Sequence, residues 1–415
     1  MAQTDETWDV VVIGAGIAGS ALAAVLARAG LGVLLLEKSQ SYADRVRGEA
    51  LVQWGVKEAQ DLGLYDALLA AGGHALTRAV PYGELIAPEA AEAAAADLSQ
   101  FVAGVPGILA IGHPQHCQAL LSAAVAAGAV ARRGAALVEV TAGASPSVVY
   151  EADGARFRAR ARLIVGADGR PSEVREALGI PLSIGAPRNL MSGMLVAGAR
   201  DWDAEVFTIG TEGDLCFLVA PQGDGRARLY AWWDLGQRRR FSGPRGSEDF
   251  LSAFRLGCCP MSAAIAQARA GGPLVSFLNN ETFAETPFAA GAVLVGDAAG
   301  WTDPLSGCGL SSAYRDVRQV SEILLGGDDW SPAAFAPYAA ERAERFRRLR
   351  FITEIETALN CGFDERGQAR RRQYQERAPA EPLVAAHIVA NLAGPESQPA
   401  EVYTPQHRAW VLGEA

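Results

Sequence analysis

Lysine is nearly absent from this sequence. Only Lys38 and Lys57 occur among its 37 basic residues, and the rest are arginines. Coding bias is the simplest explanation for this scarcity. Its consequence is that no residue after position 57 can act as a catalytic lysine. Acidic residues number 47, so the net charge at pH 7 is −10. An acidic chain lacks the positive footprint of a protein that binds nucleic acid or an anionic membrane, and we predict neither partner.

Cysteine is sparse as well. The six cysteines are scattered over 415 residues without Cys-x-x-Cys spacing, which argues against a zinc ribbon and a disulfide framework. We therefore predict reduced thiols, no metal site and a cytoplasmic location. Residues 10–27 carry no charge, but acidic residues precede them and glycines interrupt them. We interpret this stretch as a buried strand that turns into a helix, not as a signal peptide or membrane span.

The first 37 residues have the pattern of a complete βαβ unit. A β-branched run (9–13), the motif Gly14-Ala-Gly16-Ile-Ala-Gly19, an alanine-rich helix (20–29) and a second apolar run (32–36) follow in order. Gly14 permits a tight turn, Gly16 lets the backbone approach a pyrophosphate, and Gly19 allows close packing of helix and strand. Glu37 ends the unit and can accept hydrogen bonds from both ribose hydroxyls. The pattern therefore predicts FAD or NAD rather than NADP.

Two later segments are apolar strands that end in an aspartate. Residues 162–167 lead into Asp168-Gly169, and residues 292–295 lead into Gly296-Asp297 and a glycine-rich loop that opens a helix. Asp297 can accept from a polyol hydroxyl, while backbone amides at Gly309 and Leu310 can point at an electron-rich ring edge. Such a combination favours FAD.

With these three segments in this order, the sequence resembles the FAD-dependent aromatic hydroxylases, the single-component flavoprotein monooxygenases of the p-hydroxybenzoate hydroxylase type. The resemblance implies an α/β fold: a Rossmann-like FAD-binding domain of the glutathione reductase type, an inserted antiparallel β-sheet substrate domain and a helical C-terminal tail. It further implies that Gly14, Gly16, Ala18 and Glu37 hold the ADP half of FAD and that Asp297 holds the ribityl chain. The amides of Gly309 and Leu310 would face flavin N1 and O2, and Asp168-Gly169 would support the pyrophosphate and NAD(P)H use. The implied cofactor-binding residues are Gly14, Gly16, Ala18, Gly19, Glu37, Lys38, Arg45, Arg47, His113, Asp168, Gly169, Gly296, Asp297, Pro304, Gly307, Gly309 and Leu310.

Some of these positions depart from the family pattern or have a second interpretation. Arg45 and Arg47 lie where the family carries arginines near the FAD phosphates, and solvated surface arginines are the alternative. His113 replaces a family Arg or Gln near the diphosphate. In the last segment, Gly300 replaces a family His, and Cys308 and Ser311 replace Gln or Met and Asn.

Three units are predicted along the chain. We assign residues 1–75, 101–182 and 286–330 to a discontinuous FAD-binding domain, residues 76–100 and 183–285 to a substrate-binding β-sheet domain, and residues 331–415 to a C-terminal helical region. Short alternating runs parted by glycine-rich turns predict antiparallel strands between 183 and 285. Glu341, Arg345 and Arg348 share one face of a charged helix, which we interpret as solvated or as facing a second subunit in a possible homodimer.

The resemblance implies a monooxygenase that takes hydride from NADH or NADPH. Through a flavin C4a-hydroperoxide it would hydroxylate or epoxidise an aromatic or polyketide-like small molecule with O2. The protein must then exclude water and orient the substrate, so we name no catalytic residue. Candidate pocket residues are Phe217, Tyr230, Trp233 and Cys308, with Leu229 on the strand face of Trp233, and core packing is the alternative for each. His74 is a weaker candidate, with a surface position as its alternative.

Three other functions stay open. A flavin-dependent halogenase shares the fold, but it needs a pocket lysine and a Trp-x-Trp-x-Ile-Pro signature, for which the comparable segment here is Tyr230-Ala-Trp-Trp-Asp-Leu. A flavin reductase of isoprenoid double bonds shares the Arg47-Gly48-Glu49 region and would consume no oxygen. A non-catalytic FAD-binding protein is the third alternative, although it has little need of amides aimed at the flavin.

Overall fold

The computed structural model describes residues 4–46 and 48–414. Its strands are β1 (Thr4–Ile13), β2 (Val33–Glu37), β3 (Ala50–Leu51), β4 (His74–Leu76), β5 (Arg78–Ala79), β6 (Ala96–Asp97), β7 (Ile108–Ala110), β8 (Val130–Arg133), β9 (Ala136–Thr141), β10 (Ser147–Ala152), β11 (Ala155–Gly166), β12 (Ser183–Ile184), β13 (Asn189–Ala197), β14 (Val206–Glu212), β15 (Leu215–Pro221), β16 (Arg226–Trp233), β17 (Arg269–Ala270), β18 (Val275–Asn279), β19 (Thr282–Phe283), β20 (Phe288–Ala289) and β21 (Ala292–Leu294). Its α-helices are α1 (Ile17–Arg28), α2 (Gln53–Asp61), α3 (Tyr65–Ala70), α4 (Pro88–Ala93), α5 (His113–Ala126), α6 (Glu173–Ala177), α7 (Gly246–Ala253), α8 (Ser262–Ala266), α9 (Gly309–Gly326), α10 (Ala336–Asn360), α11 (Glu365–Arg377), α12 (Ala386–Ala393) and α13 (Pro405–Val411).

The first large sheet has a parallel centre. Its order is β20-β21-β11-β1-β2-β8, and β10 and β9 extend it from β11. Strands β21, β11, β1, β2 and β8 run parallel to one another. Their buried valine, isoleucine and leucine runs pack against α1, α5 and α9 on one face, as expected of a parallel sheet covered by helices. The carboxyl ends of β1, β11 and β21 therefore meet at one edge, which brings the three sequence motifs together.

The second large sheet is almost entirely antiparallel. Its order is β17-β13-β16-β15-β14-β5-β6, with β18 also paired to β13, and among the described strands of this sheet the β14–β5 pair alone is parallel. One face is covered by α7, α8 and the Phe241 region, which form a second core. The other face is turned toward the first sheet and the C-terminal helices. This architecture confirms the predicted α/β fold with an antiparallel sheet and a helical tail.

One C-terminal helix has a different environment from the predicted one. The charged helix α10 is not a solvated one, because its face at Arg342, Arg345, Leu349, Ile352 and Glu356 is buried. The guanidinium groups of Arg342 and Arg345 pair with Asp316 of α9 inside the protein, and this compensation lets arginines occupy a core-facing stripe. Among the helices of the described residues, none is long and apolar enough to cross a bilayer.

Candidate functional site

A continuous cavity of about 750 Å³ joins the two sheets. It begins at the turn after β1, follows the carboxyl edge of the parallel sheet, passes over the open face of the antiparallel sheet and ends among α10, α11 and α12. Sequence-predicted residues that line it are Gly14, Gly16, Ala18, Glu37, Lys38, Arg45, His113, Asp168, Gly169, Tyr230, Gly296, Asp297, Pro304, Gly307, Gly309 and Leu310. Arg47 lies outside the described residues, and Gly19 lies behind the cavity wall in α1.

The three motif glycines have different surroundings. A Cβ on Gly14, whose φ is +99°, would lie 2.4 Å from the carbonyl oxygen of Ala167, and a Cβ on Gly19 would lie 1.9 Å from that of Gly14. Both positions are therefore closed to a side chain. A Cβ on Gly16 would meet no atom of the described residues within 4 Å, because that residue borders the cavity at the start of α1. Gly16 thus leaves a cradle that a phosphate group can enter, as the sequence predicts.

Glu37 is held in place by backbone amides. One carboxylate oxygen accepts from the amide of Ala15 at 3.0 Å and the other from the amide of Ser39 at 2.8 Å. The carboxylate therefore stands next to the glycine motif, where it keeps lone pairs for ribose hydroxyls. Its neighbour Lys38 is exposed and lies 3.7 Å from a carboxylate oxygen of Glu173.

The carboxylate of Asp168 is hydrogen-bonded within the protein. Its carboxylate accepts from the hydroxyl of Ser172 at 2.6 Å and from the amide of Val174 at 3.2 Å, so it supports the start of α6. Burial raises the pKa of Asp168, against the lowering effect of these hydrogen bonds. Gly169, at φ +79°, turns the chain toward Arg170.

The Gly296-Asp297 turn is bonded from two sides. Oδ2 of Asp297 accepts from Nε of Arg170 at 3.1 Å, while the amide of Gly296 donates to Oδ2 of Asp316 at 2.9 Å. Arg342 then donates to the carbonyls of Ala299 and Gly300, each at 2.9 Å. The tail helix α10 therefore clamps the turn that would hold the ribityl chain.

The glycine-rich loop presents backbone to the cavity. Gly307 adopts φ +66°, and α9 begins at Gly309. The first amides of a helix have no carbonyl one turn earlier to bond, so those of Gly309 and Leu310 remain suited to an electron-rich ring edge. Cys308 does not line the cavity, contrary to the prediction. Its thiol is buried and donates to Oδ1 of Asn391 at 2.9 Å, because the turn at Gly307 directs the intervening side chain away from the cavity wall.

The remaining cofactor candidates border the same cleft. Arg45 is exposed at its rim, and His113, the first residue of α5, lines the wall. The imidazole of His113 is within 3.6 Å of the thiol of Cys117. Close by, the buried carboxylate of Glu49 pairs with Arg228 and accepts from the hydroxyl of Tyr230 at 3.0 Å.

Two of the aromatic pocket candidates face the wrong side of the antiparallel sheet. Phe217 and Trp233 are buried in the core under α7, where Trp233 packs edge-on against Phe241 at 4.9 Å between ring centres. Leu229 lies in the same core. Because side chains alternate along a strand, Tyr230 and Trp232 of β16 instead face the cavity. Even-numbered and odd-numbered residues of β16 point to opposite faces, so Tyr230 and Trp233 cannot share a face. The tryptophan that lines the cavity is Trp232.

His74 lies outside the cavity lining. It sits in β4, and its Nε2 hydrogen-bonds the carbonyl oxygen of Ala204 at 2.6 Å. The short strand pairs with β7, and this pairing fixes the imidazole against the loop before β14, not toward the cavity.

The far end of the cavity was not predicted at all. Residues from three tail helices line it: Glu356, Tyr374, His387 and Asn391. Burial raises the pKa of Glu356 to about 8 and lowers the pKa of His387 to about 4. Both groups are therefore largely uncharged at pH 7. The available signal was a glutamate in the charged helix α10 and a histidine in the apolar helix α12, but only the tertiary arrangement brings them to one place.

The residues around the cleft fit FAD. They offer an open glycine cradle at a helix start, a carboxylate for the ribose at Glu37, a carboxylate for the ribityl chain at Asp297 and helix-start amides for the ring edge. The cleft also continues into an apolar chamber, as a cofactor site adjoining a substrate site requires.

Comparisons with known proteins agree with this geometry. A family model described as an FAD binding domain matches residues 7–349. The chain is 28% identical over 342 residues to a rifampicin monooxygenase from Streptomyces venezuelae. The aligned region covers 81% of this chain and 68% of that protein. It is 30% identical over 346 residues to a digeranylgeranylglycerophospholipid reductase from Methanosarcina acetivorans, covering 78% and 77%. Among solved structures, p-nitrophenol 4-monooxygenase from Pseudomonas putida superposes with a TM-score of 0.77 at 18% identity, covering 94% and 99%.

Proposed function

This chain belongs to the FAD-binding-domain family and is an FAD-dependent oxidoreductase with the fold of the p-hydroxybenzoate hydroxylase-type enzymes, and from this premise we propose that it is a monooxygenase. It takes hydride from NADH or NADPH and uses O2 to hydroxylate or epoxidise an aromatic or polyketide-like small molecule.

One observation carries the proposal: the cleft of the dinucleotide fold opens directly into a chamber lined by apolar and aromatic side chains. Tyr230, Trp232 and Phe277 of the antiparallel sheet form one wall, and tail helices close the far end. Oxygen transfer from a reduced flavin needs a site that excludes water and holds the substrate against the ring. A chamber enclosed between a sheet and three helices supplies both conditions.

The residues of the cleft have distinct tasks in this proposal. Gly14, Gly16, Ala18 and Glu37 hold the ADP half of FAD, Asp297 the ribityl chain, and the amides of Gly309 and Leu310 the N1 and O2 edge. Bound FAD supplies the redox and oxygen chemistry. The protein's own contribution is to position the ring through the clamped 296–300 turn and to keep bulk water out of the chamber.

A relative favours one alternative, a reductase of isoprenoid double bonds, because the digeranylgeranylglycerophospholipid reductase is as similar to this chain as the rifampicin monooxygenase is. The chamber's polar atoms favour the monooxygenase, since an isoprenoid chain offers them no partner.

Halogenation is disfavoured by the positions of the lysines: Lys38 lies beside Glu37 at the adenosine end and Lys57 pairs with Asp61 on the surface.

The test is oxygen uptake by the purified holoprotein with NADH or NADPH and a panel of phenols, polyketides and isoprenoids. A monooxygenase consumes O2 with the nicotinamide and yields a product that has gained one oxygen atom. A product that has gained two hydrogen atoms without oxygen uptake establishes the reductase, and a need for halide with a separate reductase establishes the halogenase.

A further inference from the structure

Asp303 is a buried carboxylate in the glycine-rich loop that opens α9. It is 0% exposed, and it stands between Thr302 and Pro304, which both line the cavity. Its side chain is bonded within the protein, where Oδ1 accepts from Nδ2 of Asn279 at 2.6 Å and from the amide of Leu305 at 3.0 Å. The loop that would meet the flavin edge is therefore held from behind by a buried acid.

The second oxygen of Asp303 takes part in an ion pair. Oδ2 accepts from Nη1 of Arg188 at 3.3 Å, while Nη2 of Arg188 lies 3.5 Å from Oε1 of Glu281 and 3.7 Å from Oε1 of Glu354. Glu281 in turn accepts from Nε of Arg350 in α10 at 2.7 Å. The guanidinium of Arg188 therefore compensates the charge of Asp303 and links the loop to the tail helix α10.

The same contacts join the loop to the wall of the substrate chamber. Asn279 ends β18 and pairs with Asn189 at the start of β13. Two residues along the same strands, Phe277 and Met191 pair with each other and line the cavity. Asp303 thus ties the loop whose amides would face the flavin to the ends of two strands that carry part of the chamber wall.

The charge of Asp303 exceeds what the local turn requires. The short turn Pro304–Ser306 needs an acceptor for the amide of Leu305, and asparagine or serine would cap it equally well. A buried ion pair adds a desolvation cost that a turn cap does not need. Burial raises the pKa of Asp303, and the Leu305 amide and Arg188 oppose that effect. Because charges near the N1 edge of a flavin tune its reduction potential, the ion pair stands where its charge can act on the cofactor.

We propose that Asp303 is a positioning residue for the flavin. It fixes the loop that presents the amides of Gly309 and Leu310, and its ion pair with Arg188 sets the charge behind that loop. The inference rests on the proposed placement of FAD in the cleft and not on the class of reaction. Because the carboxylate is buried behind the cavity wall, it acts on the cofactor through the loop and through its charge.

Two substitutions separate the contributions of shape and charge. Asparagine can still accept from Asn279 and the Leu305 amide, so Asp303→Asn should keep the FAD affinity within about threefold of wild type. Asp303→Ala removes both acceptors and should weaken FAD binding about tenfold. Asp303→Asn also removes a negative charge that opposes reduction of the ring, so the reduction potential of the bound FAD should shift upward.

The readouts are fluorescence titration of the apoprotein with FAD and dye-coupled reduction of the holoprotein at pH 6. At that pH Glu356 stays protonated, because burial raises its pKa to about 8. The matched control is Glu212→Gln. That half-buried carboxylate accepts from the amides of Gly257 and Cys258 at 2.9 and 2.7 Å, in the segment between α7 and α8, so its neutralisation should leave both readouts unchanged.

Either of two results overturns the inference. One is a reduction potential in Asp303→Asn equal to that of wild type, and the other is an unchanged FAD affinity in Asp303→Ala. If Asp303→Ala does not fold, the potential of Asp303→Asn decides. Wild-type protein that binds no FAD contradicts the proposed function and the placement of FAD together. Wild-type protein that binds FAD and consumes O2 with NAD(P)H, while both Asp303 variants match it, keeps the proposed function and loses this inference.

Discussion

Nε of Arg170 donates to Oδ2 of Asp297 over 3.1 Å, and this ion pair joins two motifs that are 127 residues apart in the sequence. Arg170 follows the Asp168-Gly169 turn, and its guanidinium also lies 4.7 Å from the ring centre of Trp301. The pair is half-buried at the cavity wall. Asp297 therefore meets an incoming polyol with one oxygen already bonded and its charge partly compensated, while its second oxygen is available to a ribityl hydroxyl.

Asp297→Ala should weaken FAD binding by roughly 10- to 150-fold. A hydrogen bond to a charged group contributes about 1.5–3 kcal/mol, and its loss also leaves Arg170 without its partner. The measurement is FAD affinity of the apoprotein by fluorescence titration. Asp328→Ala is the control, because that carboxylate is fully exposed and pairs with Arg162 away from the cleft. An Asp297→Ala protein that purifies with wild-type FAD content would remove Asp297 from the site.

Gly16→Ala should impair FAD binding, whereas Gly19→Ala should impair the stability of the folded protein. A Cβ on Gly16 meets nothing in the part of the chain that the structure describes, so the apoprotein should unfold at nearly the wild-type urea concentration while FAD affinity falls at least about tenfold. A Cβ on Gly19 would lie 1.9 Å from the carbonyl oxygen of Gly14, which forces the helix from the strand and costs about 1–3 kcal/mol of unfolding free energy. Equal effects of the two substitutions on apoprotein stability would contradict this distinction.

Asp316→Ala should destabilise the apoprotein by about 3–5 kcal/mol, because it removes the buried carboxylate that pairs with Arg342 and Arg345 and leaves Arg345 with the half-buried Glu341 as its carboxylate partner. FAD affinity should fall as well, since the amide of Gly296 loses its acceptor. Urea unfolding with and without FAD measures both effects. The control Glu344→Ala removes an exposed partner of Arg347 and Arg348 and should change stability by less than about 1 kcal/mol. Similar changes for both variants would show that the buried network is not specially stabilising.

Trp232→Phe and Trp233→Phe test which face of β16 meets the substrate. Trp233 donates to the carbonyl of Gln237 at 3.0 Å within the helix-covered core, so Trp233→Phe should cost about 1–3 kcal/mol of stability with KM little changed. Nε1 of Trp232 lies at the cavity without a partner among the described residues, so Trp232→Phe should raise KM severalfold. Its ring is as buried as that of Trp233 and packs against Met191 and Leu305, so both variants should lose packing stability and KM is the property that separates them. A KM raised by Trp233→Phe and unchanged in Trp232→Phe would reverse the assignment of faces.

Glu356 should make the apoprotein less stable as pH rises from about 5 to 8. The ordinary pKa of 4.5 describes the unfolded chain, whereas burial raises the folded-state pKa of Glu356 to about 8. Within this window the folded protein retains a proton that the unfolded chain has released, so stability falls with increasing pH. Glu356→Gln should lose less stability than wild type between pH 5.5 and 8, as measured by urea midpoints.

His387, whose pKa is lowered by burial, contributes nearly equally in both proteins. Asp303 does not, because its carboxylate helps to raise the pKa of Glu356 and the two groups titrate as a coupled pair. The pKa of Asp303 itself is raised chiefly by burial. Parallel stability curves for the two proteins would contradict the raised pKa of Glu356.

The local motifs were predictable because their geometry is set by neighbouring residues. Gly14 and Gly19 are confined by contacts within one βαβ unit, and Glu37 bonds the amide of Ala15 from the adjacent strand end. The parallel order of β1, β11 and β21 follows from apolar runs that each end in a motif, which explains why the three motifs could be expected at one sheet edge.

The far half of the cavity could not be predicted in this way. Strand alternation separates Tyr230 and Trp232 from Leu229 and Trp233, but it does not say which side is covered by helices. From the sequence, the arginines of α10 predict a solvated helix. Their burial depends on Asp316 of α9, which pairs with Arg342 and Arg345 in the folded protein.

The sequence by itself therefore determined the FAD-binding fold and the order of its motifs, since short-range sterics and backbone hydrogen bonding decide both. Only the tertiary structure decided that Trp232, Glu356 and Tyr374 line the same cavity as the three motifs. These residues come from elements up to about 140 residues apart, and their meeting depends on long-range packing of tail helices over one face of a sheet, which leaves no periodic trace in the chain.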